Sequence, residues 1–253
     1  MLRAMKLLFS PLHFRTLVFF FALVLLHSSA TWAQGIDVSK YQGKVNWSKV
    51  AKSKKVKFVY IRATEGASIR DGYYKTNLAA ARKAGILVGS YHVYSSKTTA
   101  YQQFANFKSL VVKKKQDLVP VLDIEGHHSG RLNMQRVNKL LELMEQEYGA
   151  RPIIYTSEKV YNEHFATKRY AKYHIFVAKY EGKPEIRYTL WQYSTVGRIP
   201  GIAGDVDLDK FHPKHSLKDI KMPRRQVKKD KSSQSASSNG AKDTSQTSAP
   251  NKK

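Results

Sequence analysis

The alternation of β-rich and helical segments constrains this chain more than any other feature of its sequence. β-rich runs occupy residues 35–39, 58–63, 86–93, 119–125, 153–156, 174–178, 189–193 and 206–209. Helical patterns fall between the early runs, at 47–54, 74–84, 99–113, 131–148 and 157–165. The clearest is 131–148, where Val137, Leu140, Leu141, Met144 and Tyr148 recur at helical spacing and Gly149 and Pro152 supply a stop. Such alternation calls for parallel strands joined by crossover helices. After residue 165 the helices fade and three strands follow closely. Eight strands and five helices permit an open doubly wound sheet, but they fit better a closed barrel whose helical ring is depleted on its last side. No internal repeat is visible.

The flanks differ from this central part. Arg3, Lys6 and Arg15 precede an apolar run from Leu17 to Leu26, and the small residues Ser28, Ser29, Ala30 and Ala33 follow. That order reads as a secretory signal over residues 1–33, cleaved after Ala30 or Ala33. The run is short for a membrane span, which takes roughly 20 apolar residues; an uncleaved anchor extended back through Leu12 and Phe14 would have to include Arg15. Export implies a periplasmic or extracellular protein. The absence of cysteine is compatible with export and excludes a disulfide scaffold, a Cys-ligated metal and a Cys nucleophile. At the other end, residues 214–253 hold eleven Lys or Arg against three Asp and become rich in Ser. Such a stretch buries too little apolar surface to offset chain ordering, so it is expected to be disordered. It reads either as an electrostatic adhesion segment for an anionic surface or as a solvated tail without a specific partner. This leaves residues 34–213 as one folded domain. The net charge of +25 is not confined to the tail and points to a polyanionic partner.

Functional groups of parallel α/β folds gather at the C-terminal ends of strands. Asp123 and Glu125 close the run 119–125, and residues two apart in a strand share a face. Two inward carboxylates raise one pKa between them and provide a protonated acid beside an ionised one, the equipment for glycosidic bond cleavage. A metal site or a pair bridged by Lys or Arg is the alternative. Asp37 lies in the first strand and Asp207 in the last. These strands are neighbours in a closed barrel, so both acids would reach the same mouth, although each alone also fits a turn or cap. Asp205 and Asp209 read as solvent or turn residues.

Tyr41, Tyr91, Tyr155, Trp191 and Tyr193 lie near the same strand ends and could stack on sugar rings, with Gln42 and Gln192 as polar partners for hydroxyls; core packing is the alternative for each. His92 reads as a structural histidine. His127 and His128 lack further ligands at suitable spacing, so zinc is not expected. There is no nucleophile elbow, P-loop or His-Glu-x-x-His motif. The basic residues form no DNA-reading helix, so a specific nucleic-acid partner is not expected.

Taken together in order, residues 35–43 with 45–47, 58–66, 85–92, 122–125, 190–194 and 201–211 resemble glycoside hydrolase family 25 lysozymes. The resemblance spans about residues 35–211. It implies a TIM-like (β/α)5β3 barrel and N-acetylmuramidase activity on the β-1,4 bond between N-acetylmuramic acid and N-acetylglucosamine of peptidoglycan, without metal or cofactor; separately, a monomer is expected. By motif position, Glu125 matches the proton donor. Asp123 matches the acid that orients the substrate's 2-acetamido group for a substrate-assisted route, and Asp37 and Asp207 match two further acids of the site. Asn46 and Asp209 depart from the family pattern, which has Asp and Asn there. Two other classes remain open: a barrel that binds wall glycan without cutting it, and an adhesion protein of membranes or nucleic acid whose catalysis is incidental.

Overall fold

The computed structural model describes residues 35–125 and 131–223. The secretory-signal reading, His127 and His128, and the chain after Pro223 lie outside the described residues.

The chain builds β1 (Gly35–Val38), α1 (Trp47–Lys52), β2 (Phe58–Glu65), β3 (Ile69–Arg70), α2 (Tyr74–Lys83), β4 (Leu87–Val93), α3 (Ala100–Leu110), β5 (Val121–Asp123), α4 (Met134–Tyr148) and β6 (Ile153–Ser157). A short α5 (Glu158–Val160) runs on as a π turn over Tyr161–Phe165, and β7 (Ile175–Ala178), β8 (Leu190–Gly197), β9 (Val206–Phe211) and α6 (Leu217–Ile220) complete the fold. Strands β1, β2, β4, β5, β6, β7 and β8 pair in parallel, each with the next. β9 is antiparallel to both β8 and β1 and closes the barrel. The eight β-rich runs of the sequence therefore become the eight staves, in the expected (β/α)5β3 order. The two-residue β3 forms a hairpin with the end of β2 and was not legible as a strand.

Strand parity sorts the core into two layers. Ile36, Val38, Val59, Ile61, Leu122, Ile154, Ile175 and Val177 face outward and pack with the helices. Phe58, Tyr60, Val121, Ile153, Tyr155, Phe176 and Leu190 fill the barrel interior. Gly89 makes room for this filling, because a Cβ there would lie 2.2 Å from the Tyr60 ring. The helical face expected over 131–148 is the one α4 buries: Val137, Leu140, Leu141, Met144 and Tyr148 are all closed to solvent. Burial of each such large apolar side chain is worth about 1.5–3 kcal/mol. Gly149, at φ +66°, caps the helix in the left-handed region and donates to Glu145 O.

The domain boundary placed at Pro213 is corrected by the structure. Residues 214–222 belong to the barrel unit. Ile220 is fully buried and packs with Leu118 under the inner layer, Val119 N donates to Ile220 O at 2.8 Å, and Met222 N donates to Asp117 O at 2.9 Å. The apolar residues Leu217, Ile220 and Met222 give this segment a face to bury, which its Lys and Ser content obscures.

Candidate active site

The parallel strands aim their C-terminal ends at one mouth, which opens into a cavity of about 380 Å³. Asp37, Asp123, Glu125 and Asp207 all line it. Three of these positions follow from parity. Asp37 alternates with the outward Ile36 and Val38 on β1, Asp123 with the outward Leu122 and Ile124, and Asp207 is the register partner of Asp37 on β9. Glu125 follows β5 by two residues and keeps the inward side.

Burial and mutual repulsion set the electrostatics. Asp123 is pushed well up by desolvation and then by the charge of Glu125, against the pull of Arg62. The rise expected for one member of this pair thus falls on Asp123. Its Oδ1 is closed to solvent and has no hydrogen-bond partner among the described residues. Asp37 is pushed up by burial and by the charges of Asp209 and Asp207, while its hydrogen bond from Gln192 pulls the other way. Asp207 rises to about 6, mainly through burial.

A polar frame holds these acids. Gln192 Nε2 donates to Asp37 Oδ2 at 2.7 Å. Gln192 Oε1 accepts from Tyr155 Oη at 2.9 Å and from Tyr180 Oη at 2.6 Å. Arg62 donates from Nε to Asp71 Oδ2 at 3.2 Å and lies 5.2 Å from the Tyr41 ring centroid. Asp71 Oδ2 also accepts from Lys40 N at 2.7 Å, which fixes the turn that presents Tyr41. Tyr41 is 78% exposed and Tyr180 53%, so neither serves as core; both offer ring faces at the mouth. Tyr91 lines the cavity, and burial with the nearby charges of Asp37 and Asp123 pushes its hydroxyl up, which keeps it a proton donor.

Two expected binding residues are placed elsewhere. Gln42 caps the turn over Lys40–Gln42: Ser39 N donates to its Oε1 at 2.9 Å, and its Nε2 donates to Asp205 O at 3.2 Å. Its amide is thereby committed away from the cavity. Trp191 takes the outward parity of β8, opposite Gln192. Its Nε1 donates to Lys179 O at 2.7 Å, and its ring packs with Tyr188, Tyr193 and Lys210. It covers the side of the barrel that lacks helices. Asp205 is exposed and pairs with Arg198, as expected of a turn residue. Asp209 is not a solvent residue: it is fully buried inside the barrel.

Gln192, expected as a polar partner, lines the cavity, and Arg62, Glu65 and Tyr180 join it without having been placed there by the sequence. The inward parity of Phe58 and Tyr60 was a usable signal for Arg62. Glu65 comes inside through a register shift between Arg62 and Thr64 that no residue pattern announces. His92 is a structural histidine. It is fully buried, with Nδ1 2.7 Å from Thr64 Oγ1 and Nε2 3.2 Å from Gln103 Oε1. Among the described residues no group of His, Asp or Glu side chains is arranged to hold a metal ion.

A mouth lined by five carboxylates, aromatic rings and phenol donors suits acid-assisted cleavage of a carbohydrate chain. Residues 36–202 match the profile of the family described as "Glycosyl hydrolases family 25". Lysozyme M1 of Streptomyces globisporus is 35% identical over 201 residues, covering 71% of this chain and 67% of that protein. The bacterial lysozyme of Streptomyces coelicolor is 34% identical in a structural match over 72% of this chain and 92% of that one, with a TM-score of 0.62. A family 25 glycosyl hydrolase from Bacillus anthracis is 30% identical and covers 70% of this chain and 88% of that one, with a TM-score of 0.63.

Proposed function

The chain belongs to glycosyl hydrolases family 25, and from that premise we propose that it is an exported lysozyme cleaving wall glycan by substrate-assisted general acid catalysis. It is a glycoside hydrolase with muramidase activity, and its substrate is peptidoglycan.

The observation that carries the mechanism is the unpartnered, buried Oδ1 of Asp123 at the cavity floor. A muramic acid ring bound there brings an acetamido N–H, the donor this oxygen lacks. The new hydrogen bond favours the ionised form of Asp123 and leaves the proton of the coupled pair on Glu125. Glu125 then protonates the glycosidic oxygen as its bond to C1 breaks, and the acetamido carbonyl oxygen attacks C1 from the other face. Asp123 stabilises the positive charge that develops on the cyclised acetamido group. A water then opens that ring, giving its hydroxyl to C1 and its proton to Glu125, which restores the acid and retains configuration at C1. Asp37 and Asp207 add negative charge below the reacting carbon, Asp37 being held by Gln192. Tyr41 and Tyr180 offer faces for flanking sugar rings, and Tyr91 and Tyr155 complete the floor.

Export is supported by the n-region, apolar run and small residues at the N-terminus, and by a substrate that lies outside the cytoplasmic membrane. The basic chain after Met222 gives the enzyme affinity for an anionic wall or membrane surface, an attraction that weakens as salt rises. We read the working form as a monomer.

The test is digestion of purified peptidoglycan by the protein and by its Glu125→Gln variant, with products reduced by borohydride and identified by mass spectrometry. New reduced muramic acid ends from the parent and none from the folded variant are expected. Reduced glucosamine ends would overturn the bond assignment. Equal products from both proteins would overturn Glu125 as the acid.

A further inference from the structure

Asp209 is fully buried in the barrel, one inward position below Asp207 on β9. Neither of its carboxyl oxygens has a hydrogen-bond partner among the described residues. Each element packed against it withholds a donor. Tyr60 on β2 directs its hydroxyl to Val119 O at 3.1 Å. Gln192 on β8 is the register partner of Asp209, yet turns its amide N–H to Asp37. Tyr193 on β8 feels its charge, and Asp207 on its own strand adds a further negative charge. Asp37 on β1 lies within reach, but two carboxyls form a hydrogen bond only if one of them holds a proton. Among the described residues no Lys, Arg or His donates to Asp209.

An ionised carboxylate without a donor, buried beside two other acids, is the least favourable arrangement of this cluster. A neutral carboxyl removes that charge and turns the group into a donor. Asp37 already accepts one hydrogen bond, from Gln192, so the charge belongs where the donors converge. We propose that Asp209 is a neutral positioning acid, whose carboxyl O–H donates to Asp37 and holds that carboxylate ionised and fixed beneath the mouth. The role assigned to Asp37 rests on the muramidase reading; the protonation of Asp209 does not.

The proposal has a thermodynamic signature. Burial and the Asp207 charge raise the Asp209 pKa in the folded chain, against the contact with Asp37, which pulls it the other way; the net rise means that the folded state keeps a proton that the unfolded state releases above about pH 4. Through that window the folded state binds more protons, and this group's contribution to stability falls as pH rises. An asparagine donates a similar hydrogen bond and carries no such proton. The full chain is therefore compared with Asp209→Asn and Asp209→Leu by urea unfolding and by activity across pH. The advantage of Asp209→Asn over the parent grows from acid to neutral pH, and the protonated-carboxyl C=O stretch seen in the neutral-pH infrared spectrum of the parent is lost. Asp209→Asn keeps its turnover. Asp209→Leu loses about 10- to 100-fold in kcat/KM, the range for a charged group deprived of one hydrogen bond, and its acid limb moves to higher pH.

A stability difference between the parent and Asp209→Asn that is constant with pH overturns the proposal. So does folded Asp209→Leu with the parent's pH profile, or folded Asp209→Asn that is inactive. A pH-dependent gain for Asp209→Asn in a parent that releases no muramic acid ends upholds the neutral acid and overturns the enzyme reading instead.

Discussion

Gln192 Nε2 donates a 2.7 Å hydrogen bond to Asp37 Oδ2, reaching from β8 to β1 past the intervening β9. The orientation of the amide is fixed by its other end. Tyr155 and Tyr180 both aim their hydroxyls at Oε1, and burial raises both phenols, Tyr180 to about 12, so they remain protonated donors. The nitrogen must then face Asp37. Three strands and the loop after β7 thereby converge on one carboxylate.

Gln192→Met removes the donor to Asp37 and the acceptor of both phenols while keeping the side-chain length. We expect kcat/KM to fall about 10- to 100-fold, as for loss of one hydrogen bond to a charged group. Gln192→Glu places a further negative charge against Asp37 and is expected to fall at least as far. Initial rates on solubilised peptidoglycan, with circular dichroism to verify folding, decide this; parent-like rates would show that the frame is dispensable.

The rate should be bell-shaped in pH. Asp207, raised to about 6, is neutral below that value, so activity climbs as pH rises through about 6 and the negative charge below C1 is restored. Activity falls again when the Asp123–Glu125 pair gives up its last proton. Asp207→Asn is expected to lose most of the rate at neutral pH together with the limb near 6. Measurement of kcat/KM across pH tests both; persistence of that limb in Asp207→Asn would assign it to another group.

Binding and packing roles can be separated among the aromatic residues. Tyr41→Ala, at the exposed mouth, is expected to raise KM about three- to tenfold with kcat nearly held, the worth of one stacking contact. Trp191→Leu should leave KM unchanged and lower stability by about 2–3 kcal/mol, less than for a fully enclosed aromatic because the ring is only partly covered. Michaelis kinetics and urea unfolding on the two variants give the comparison, and a KM rise in Trp191→Leu would return that residue to the site.

The barrel was legible because eight β-rich runs alternate with helices whose apolar faces recur at 3.6-residue spacing, as Val137, Leu140, Leu141, Met144 and Tyr148 do. Parity then put Asp123 and Glu125 on one face, and the adjacency of first and last strands in a closed barrel brought Asp37 and Asp207 to the same mouth. Parity failed where its starting phase was unknown or shifted. Trp191 and Gln192 are adjacent and must face oppositely, but sequence alone does not say which faces in. A register shift after Arg62 brings Glu65 inside. Asp209 shares the face of Asp207 two residues away, yet a run of acids near the end of a domain resembles a solvated turn. Tyr180 lies in an aperiodic loop two residues past Ala178, the register partner of Gln192, and the pairing of β7 with β8 brings it to that amide.

His92 sets an acid limit on the fold that is independent of catalysis. Gln103 Oε1 accepts from Ser95 N, and its Nε2 donates to Ser95 O and Thr98 O. The remaining contact with His92 therefore takes a proton from the imidazole Nε2, and Nδ1 accepts from Thr64. Protonation of Nδ1 would leave a charged imidazolium in a dry site, and burial accordingly lowers the pKa from 6.5 to about 4. The folded state then binds fewer protons than the unfolded state between those values. The contribution of His92 is fully present above about pH 6.5 and is lost as pH falls to about 4, a change of about 3 kcal/mol. Asp207 acts with the opposite sign in part of the same window, so the parent's slope alone is ambiguous. Comparison with His92→Gln isolates it: this variant is expected to be less stable than the parent at pH 7, with the gap closing as pH approaches 4. Urea unfolding at successive pH values measures the gap, and a gap constant with pH would mean that His92 does not titrate as its burial requires.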